Sequence, residues 1–111
     1  MRLYIAVLDE FPDYMTPTLV AHSVLGAHLH FGNDPQYQLW LRDSFKKCVV
    51  RVGRKEFDKI VQLPNTYLGH ENNTLNGIKS CAVPLPVENS TVPNVLRFAK
   101  LWEPTTSTTL E

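Results

Sequence analysis

Arg2-Leu3-Tyr4-Ile5-Ala6-Val7-Leu8 runs into Asp9-Glu10-Phe11-Pro12-Asp13-Tyr14-Met15, and that passage decides how the rest of the chain is read. Six of the first seven residues are apolar and alternate little, as in a strand buried on both faces. The acids and Pro12 that follow mark a loop. Thr16 before Pro17 then predicts an N-cap with proline at the first helical position. Val20, Val24, Ala27 and Phe31 recur at helical spacing. A buried strand followed by an amphipathic helix opens an α/β domain.

The pattern continues outward from there. Gly32-Asn33-Asp34-Pro35 stops the helix and starts a second, with Asp34 as its cap and Tyr37, Trp40 and Leu41 on one stripe of residues 35–44. Residues 46–52 read as a second strand and Gly53 as its break. Residues 54–63 form a helix with Phe57, Ile60 and Val61 inward. Third and fourth strands fall at 66–69 and 80–85, the latter with Pro84 at an end or edge. Residues 93–102 read as a last amphipathic helix carrying Val95, Leu96, Phe98, Ala99 and Leu101. The expected order is β-α-α-β-α-β-β-α, a mixed four-stranded sheet flanked by helices in one domain, residues 1–104. Residues 105–111 lack any period and read as a disordered tail, with Leu110-Glu111 resembling a cloning scar.

At 111 residues there is room for one domain. Eleven basic and eleven acidic residues cancel, which argues against a protein that coats nucleic acid through excess positive charge. No apolar run reaches the roughly 18 to 20 residues that span a bilayer, and the run at the start is too short for a signal peptide. The expectation is a soluble cytoplasmic protein with no membrane partner. Cys48 and Cys81 then read as reduced core thiols, and the sequons at Asn72 and Asn89 carry no consequence.

Charge is polarised within this neutral chain. Residues 42–59 hold Arg42, Lys46, Lys47, Arg51, Arg54, Lys55 and Lys59 against Asp43, Glu56 and Asp58, a net of +4. A focused positive surface suits phosphate; the plain alternative is a solvated helix face laced with opposite charges. His22, His28, His30 and His70 show no metal-binding spacing, so no metal or other cofactor is expected. Adjacent His22 and Ser23 do not face each other on a helix, which disfavours a Ser-His nucleophile. The segment His70-Glu71-Asn72-Asn73-Thr74-Leu75-Asn76-Gly77 places an acid, three amides and a hydroxyl in six positions. Amides donate and accept at once, matching base edges and ribose hydroxyls; a plain Asn-rich turn is the other reading. Trp40 and Trp102 read as core residues rather than surface anchors for a protein partner.

Taken together, these segments resemble the type 2 peptidyl-tRNA hydrolase family, over roughly residues 2–102, and among its superfamily the small phage-encoded members. The helix-opening motif of that family, Met-Gly-Lys-Gly-Lys-x-Ala-Ala-Gln-x-x-His-Ala, corresponds to the stretch from Met15 to Ala27. Its hairpin motif Asp-Ala-Gly-x-Thr-Gln corresponds to Glu71 through Asn76, and the strand after it to Gly77 through Ala82. The resemblance implies this same α/β fold, often as a homodimer. The departures are as informative. Pro17 and Leu19 stand where the family has lysines, Ser23 stands for its glutamine and Gly26 for its histidine. Hydrolysis of the peptidyl-tRNA ester needs a poised water and cationic help, and no lysine lies between 3 and 41.

Two expectations follow from the resemblance. In the first, the chain binds a phosphate-bearing nucleotide without cleaving it. It would then be a phage anti-defence sponge in the host cytoplasm, holding a signal of cyclic nucleotide or cyclic ADP-ribose type. Its site would draw Asp9, Thr16, Thr18 and His22 from the first helix start, Lys47 from the basic window, and His70, Glu71, Asn72, Asn73, Thr74 and Asn76 from the polar loop, across a homodimer if one forms. In the second, the chain is a peptidyl-tRNA hydrolase acting on the tRNA 3′ end, with Glu71 and His22 or His70 as acid and base, and Lys46, Lys47 or Lys79 supplying the missing cation.

Overall fold

The computed structural model describes residues 1–70 and 78–104. Strand β1 (Arg2–Leu8) lies at the centre of a mixed sheet. It pairs in parallel with β2 (Lys46–Val52) along its whole length, from Arg2↔Lys46 to Leu8↔Val52. On its other side it pairs antiparallel with β4 (Lys79–Pro84), through Ala6↔Ala82 and Val7↔Cys81. β3 (Thr66–His70) lies outside β4, and β5 (Lys100–Leu101) outside β2, so the order is β3-β4-β1-β2-β5.

Both faces of β1 are buried, which is why its sequence does not alternate. Leu3, Ile5 and Val7 meet Leu19, Ala27 and Phe31 of α1 (Thr16–Phe31) and Tyr37 of α2 (Pro35–Leu39). The chain then widens into a π turn over Trp40–Ser44, and Trp40 joins the same core. Tyr4, Ala6 and Leu8 point the other way, against Phe57 and Ile60 of α3 (Arg54–Ile60) and Leu96 of α4 (Asn94–Arg97). The protein is thus a single α/β domain with helices on both faces of the sheet. None of its described helices is long and apolar enough to cross a membrane.

Local chemistry explains several boundaries. Asp34 caps α2 as expected, its carboxylate accepting from the backbone N–H of Gln36 at 2.8 Å and of Tyr37 at 3.3 Å. Trp40 is buried and its indole donates to the Lys46 carbonyl at 2.7 Å, whereas Trp102 is half-buried. Cys48 packs on the α3 face and Cys81 on the α1 face, so the sheet separates the two free thiols.

Three expectations are corrected. The sheet has five strands rather than four. The helix expected over 93–102 stops at Arg97, and Lys100 and Leu101 become β5, opposite Arg51 and Val50. The free edge of β2 offers backbone partners that a marginal helix end does not, and Trp102 N–H extends the pairing to the Val49 carbonyl at 2.9 Å. Phe98 and Leu101 are consequently 75% and 63% exposed instead of inward. Finally, Thr16 is no cap. A 3-10 turn over Asp13–Met15 leads straight into α1, and Thr16 is its buried first residue. The inward face of α1 is Thr16, Leu19, Ser23, Ala27 and Phe31, leaving Val20 and Val24 half-buried on a flank.

Candidate site at the carboxyl edge of the sheet

β1 and β2 run parallel, and their carboxyl ends lead to opposite faces, β1 into α1 and β2 into α3. A crevice outside the strand ends is the expected ligand position in such a sheet. The same edge receives the end of β3 at His70 and the start of β4 at Lys79, which are register partners.

α1 is fixed over that edge by close approach. A Cβ built on Gly69 would fall 2.0 Å from Ser23 Oγ and 2.8 Å from Ser23 Cβ, so only glycine lets helix and strand meet there. Ser23 is fully buried and its hydroxyl donates to the Leu19 carbonyl at 2.7 Å. The exposed His22 therefore stands on the turn of α1 that crosses the end of β3. His22 and Thr18 line an open groove of about 400 Å³ with Pro17, Ala21 and Leu25.

Between Gly69 and His70 the β3–β4 register shifts, with Gly69 opposite Cys81 and His70 opposite Lys79. Ser80 is the extra residue. Such bulges re-aim side chains and cluster beside functional sites. The Ser80 hydroxyl is buried and has no hydrogen-bond partner among the described residues, which is an open hydrogen-bonding capacity. Extending the β1–β4 register sets it beside Leu8, one residue short of Asp9. Burial pushes the neighbouring Cys81 thiol up; the hydroxyls of Ser23 and Ser80 pull weakly the other way, that of Ser80 from outside hydrogen-bond geometry.

Asp9 turns to the β2 side of the edge. Its N–H donates to the Val52 carbonyl at 2.9 Å, and its carboxylate oxygen lies 3.7 Å from where a Gly53 Cβ would sit. Glu56 folds back to 3.2 Å from the same point. Two ion pairs tie the β1–α1 connection to β2 and α3. Arg51 donates to Asp13 at 3.1 Å, and Arg54 grips Glu10 with bonds of 2.6 and 3.0 Å. The Arg54 guanidinium holds the exposed Glu10 carboxyl below its ordinary range.

The residues singled out in the sequence are thus partly gathered. Asp9, Thr18, His22 and the backbone of His70 occupy the carboxyl edge; Thr16 is there but buried. Glu71, Asn72, Asn73, Thr74 and Asn76 lie outside the described residues, as does the tail 105–111. Lys47 is elsewhere. It pairs with Leu3 near the other end of β1, donates to the Phe45 carbonyl at 2.7 Å and sits over the Phe45 ring at 3.2 Å. Lys46, opposite Arg2, shares that far end. Within the basic window Arg42, Arg51 and Arg54 are all in ion pairs, so its arginines behave as a laced surface. Sequence reading missed Ser80, whose unpaired register is a non-local property, and Gly53, which it took only as a strand break. Among the described residues, no group of three or more His, Cys, Asp or Glu gathers to hold a metal ion. The chain matches no protein-family model, and no curated protein matches it either.

Proposed function

We propose that the chain binds a phosphate-bearing nucleotide at the carboxyl edge of its sheet and releases it unchanged, on a fold of the type 2 peptidyl-tRNA hydrolase kind. The observation that carries this reading is the Ser23–Gly69 crossing, which brings His22 of α1 alongside the strand end leading into the amide-rich segment 70–77. Imidazole and amides offer donors and acceptors suited to base edges and phosphate oxygens. α1 contains no Lys, Arg, Asp or Glu, which favours holding over cleaving, because ester hydrolysis requires stabilisation of developing negative charge. A small protein with these properties fits a phage sponge for a nucleotide-derived immune signal, of cyclic nucleotide or cyclic ADP-ribose type, and a homodimer would be its expected form.

The test mixes excess protein with a panel of cyclic mono- and dinucleotides and cyclic ADP-ribose isomers, and quantifies each free compound by chromatography before and after heat denaturation. A compound that disappears and returns intact supports the reading. Return in altered form, or no depletion of any compound, overturns it.

Hydrolysis is the second reading, and one observation favours it. Lys79 is the register partner of His70, so one lysine does stand at this edge in place of those absent from α1. Turnover of N-acylated aminoacyl-tRNA that is lost in Lys79→Gln would support it.

A further inference from the structure

A second cavity, of about 530 Å³, opens on the opposite face of the sheet from α1, between α3 and the chain from Asn94 to Lys100. Its volume falls within the range of small-molecule sites. Val52, Val95 and Ala99 supply apolar lining. Phe98 stands at the same cavity with 75% of its surface exposed, a position the core does not use. Because the helix ends at Arg97 and the chain turns into β5, this ring is presented outward rather than folded under α4. Lys59 also lines the cavity and is in no ion pair among the described residues. The one acid there, Glu56, is folded back toward Gly53; Arg51 is engaged by Asp13.

We propose that this cavity is a second ligand site, which takes a planar aromatic ring bearing an anionic group, the ring against Phe98 and the anion against Lys59. An exposed aromatic face stacks on any flat π system, and an unpaired ammonium group beside apolar walls favours an anion without demanding a bidentate one. The anion can be a phosphate, as in a nucleoside monophosphate, or a carboxylate, as in an aromatic acid. The cavity meets the carboxyl edge at Gly53 and Glu56 but shares no lining residue with the groove at His22, so the two are tested separately.

The test titrates isotope-labelled full-length protein with adenosine monophosphate, phenyl phosphate, benzoate and inorganic phosphate at constant ionic strength, following backbone amide shifts. The expected result is saturable movement at Val52–Glu56 and Asn94–Lys100 with at least one of the three aromatic anions and none with inorganic phosphate. Which of the three binds tightest distinguishes phosphate from carboxylate recognition. Phe98→Ala should weaken that binding about tenfold, within the range for one stacked ring, and Lys59→Gln should weaken it several-fold while the spectrum stays dispersed. Shifts confined to α1 and β3, absence of saturable shifts up to about 10 mM, or unchanged affinity in Phe98→Ala would each overturn the proposal.

Discussion

Ser23 of α1 and Gly69 of β3 touch more closely than any side chain on residue 69 would allow, with 2.0 Å between Ser23 Oγ and the place of a Gly69 Cβ. The approach also brings that Cβ to 3.2 Å from the Ser23 Cα, so the obstacle includes helix backbone. Gly69→Ala should therefore push α1 off the sheet and lower stability by about 1–3 kcal/mol. Gly26 offers the contrast. Its Cβ would meet the far end of the Tyr67 side chain at 2.1 Å, which can swing aside, and alanine gains about 1 kcal/mol of helix propensity there. Urea denaturation of both variants checks the ranking; a Gly26→Ala loss as large as that of Gly69→Ala would contradict it.

Arg51 does more than neutralise Asp13. Its guanidinium also donates to the Glu103 carbonyl at 2.6 Å and lies 4.9 Å from the centre of the Trp102 ring. It thus holds the segment after β5 against the start of α1. Lys100 stands directly opposite Arg51 in the register, a like-charge pair that works against this gain. Balancing the two, Arg51→Met should cost about 1–2 kcal/mol. It should also shift the emission of half-buried Trp102 to the red while buried Trp40 stays unchanged. Subtracting the spectrum of Trp102→Phe isolates the signal; an unmoved Trp102 component would remove Arg51 from this role.

How much of this was legible depends on how local each cause is. β1 could be read because burial on both faces removes alternation from six successive residues, Leu3 to Leu8, and the start of α2 because Asp34-Pro35 is a local capping signal. β5 could not, since its two residues are strand only by virtue of the free β2 edge, and Phe98 and Leu101 imitate the stripe of an amphipathic helix. The inward face of α1 was misjudged by a fraction of a turn for a related reason. The helix seats where Ser23 meets Gly69 and Gly26 meets Tyr67, and small residues carry no hydrophobic signal. At the site, His22 and the 70–77 segment stood out by residue type. Ser80 became notable only through a register shift between two strands.

Stability should decline on the alkaline side. Burial pushes the Cys81 thiol up, and does the same for Cys48 and for the Tyr37 hydroxyl. The unfolded chain then releases these protons at lower pH than the folded one, starting near the ordinary thiol value of about 8.5. Their contribution is complete below that pH and is lost as pH rises through the folded values. Glu10 acts at the other end with the opposite sign: its lowered value contributes above about pH 4.5 and fades below it, weakly, because the pair with Arg54 is exposed. Melting temperatures from pH 4 to 10 should form a plateau bounded on both sides, and Cys81→Ala should flatten the alkaline slope. An equal slope in that variant would show that the buried thiol is not its source.

The placement of Lys47 separates two versions of the ligand site that the sequence had joined. Lys47 caps the Phe45 ring near the amino end of β1 and β2, whereas His22 stands at the carboxyl end beside the close of β3. Leu8 pairs with Val52 and Leu3 with Lys47, so about five strand residues, roughly 16 Å, separate Lys47 from that edge. A nucleotide held at the carboxyl edge should then lose about tenfold or more in affinity in His22→Ala, as expected for a charged-ligand hydrogen bond worth roughly 1.5–3 kcal/mol. Lys47→Gln should leave its affinity within about twofold, since a cation that far away is largely screened at physiological salt. Calorimetric titration of both variants with whichever compound the release assay identifies decides the matter. If Lys47→Gln abolishes binding while His22→Ala preserves it, the ligand lies at the other end of the sheet and the site assigned here is misplaced.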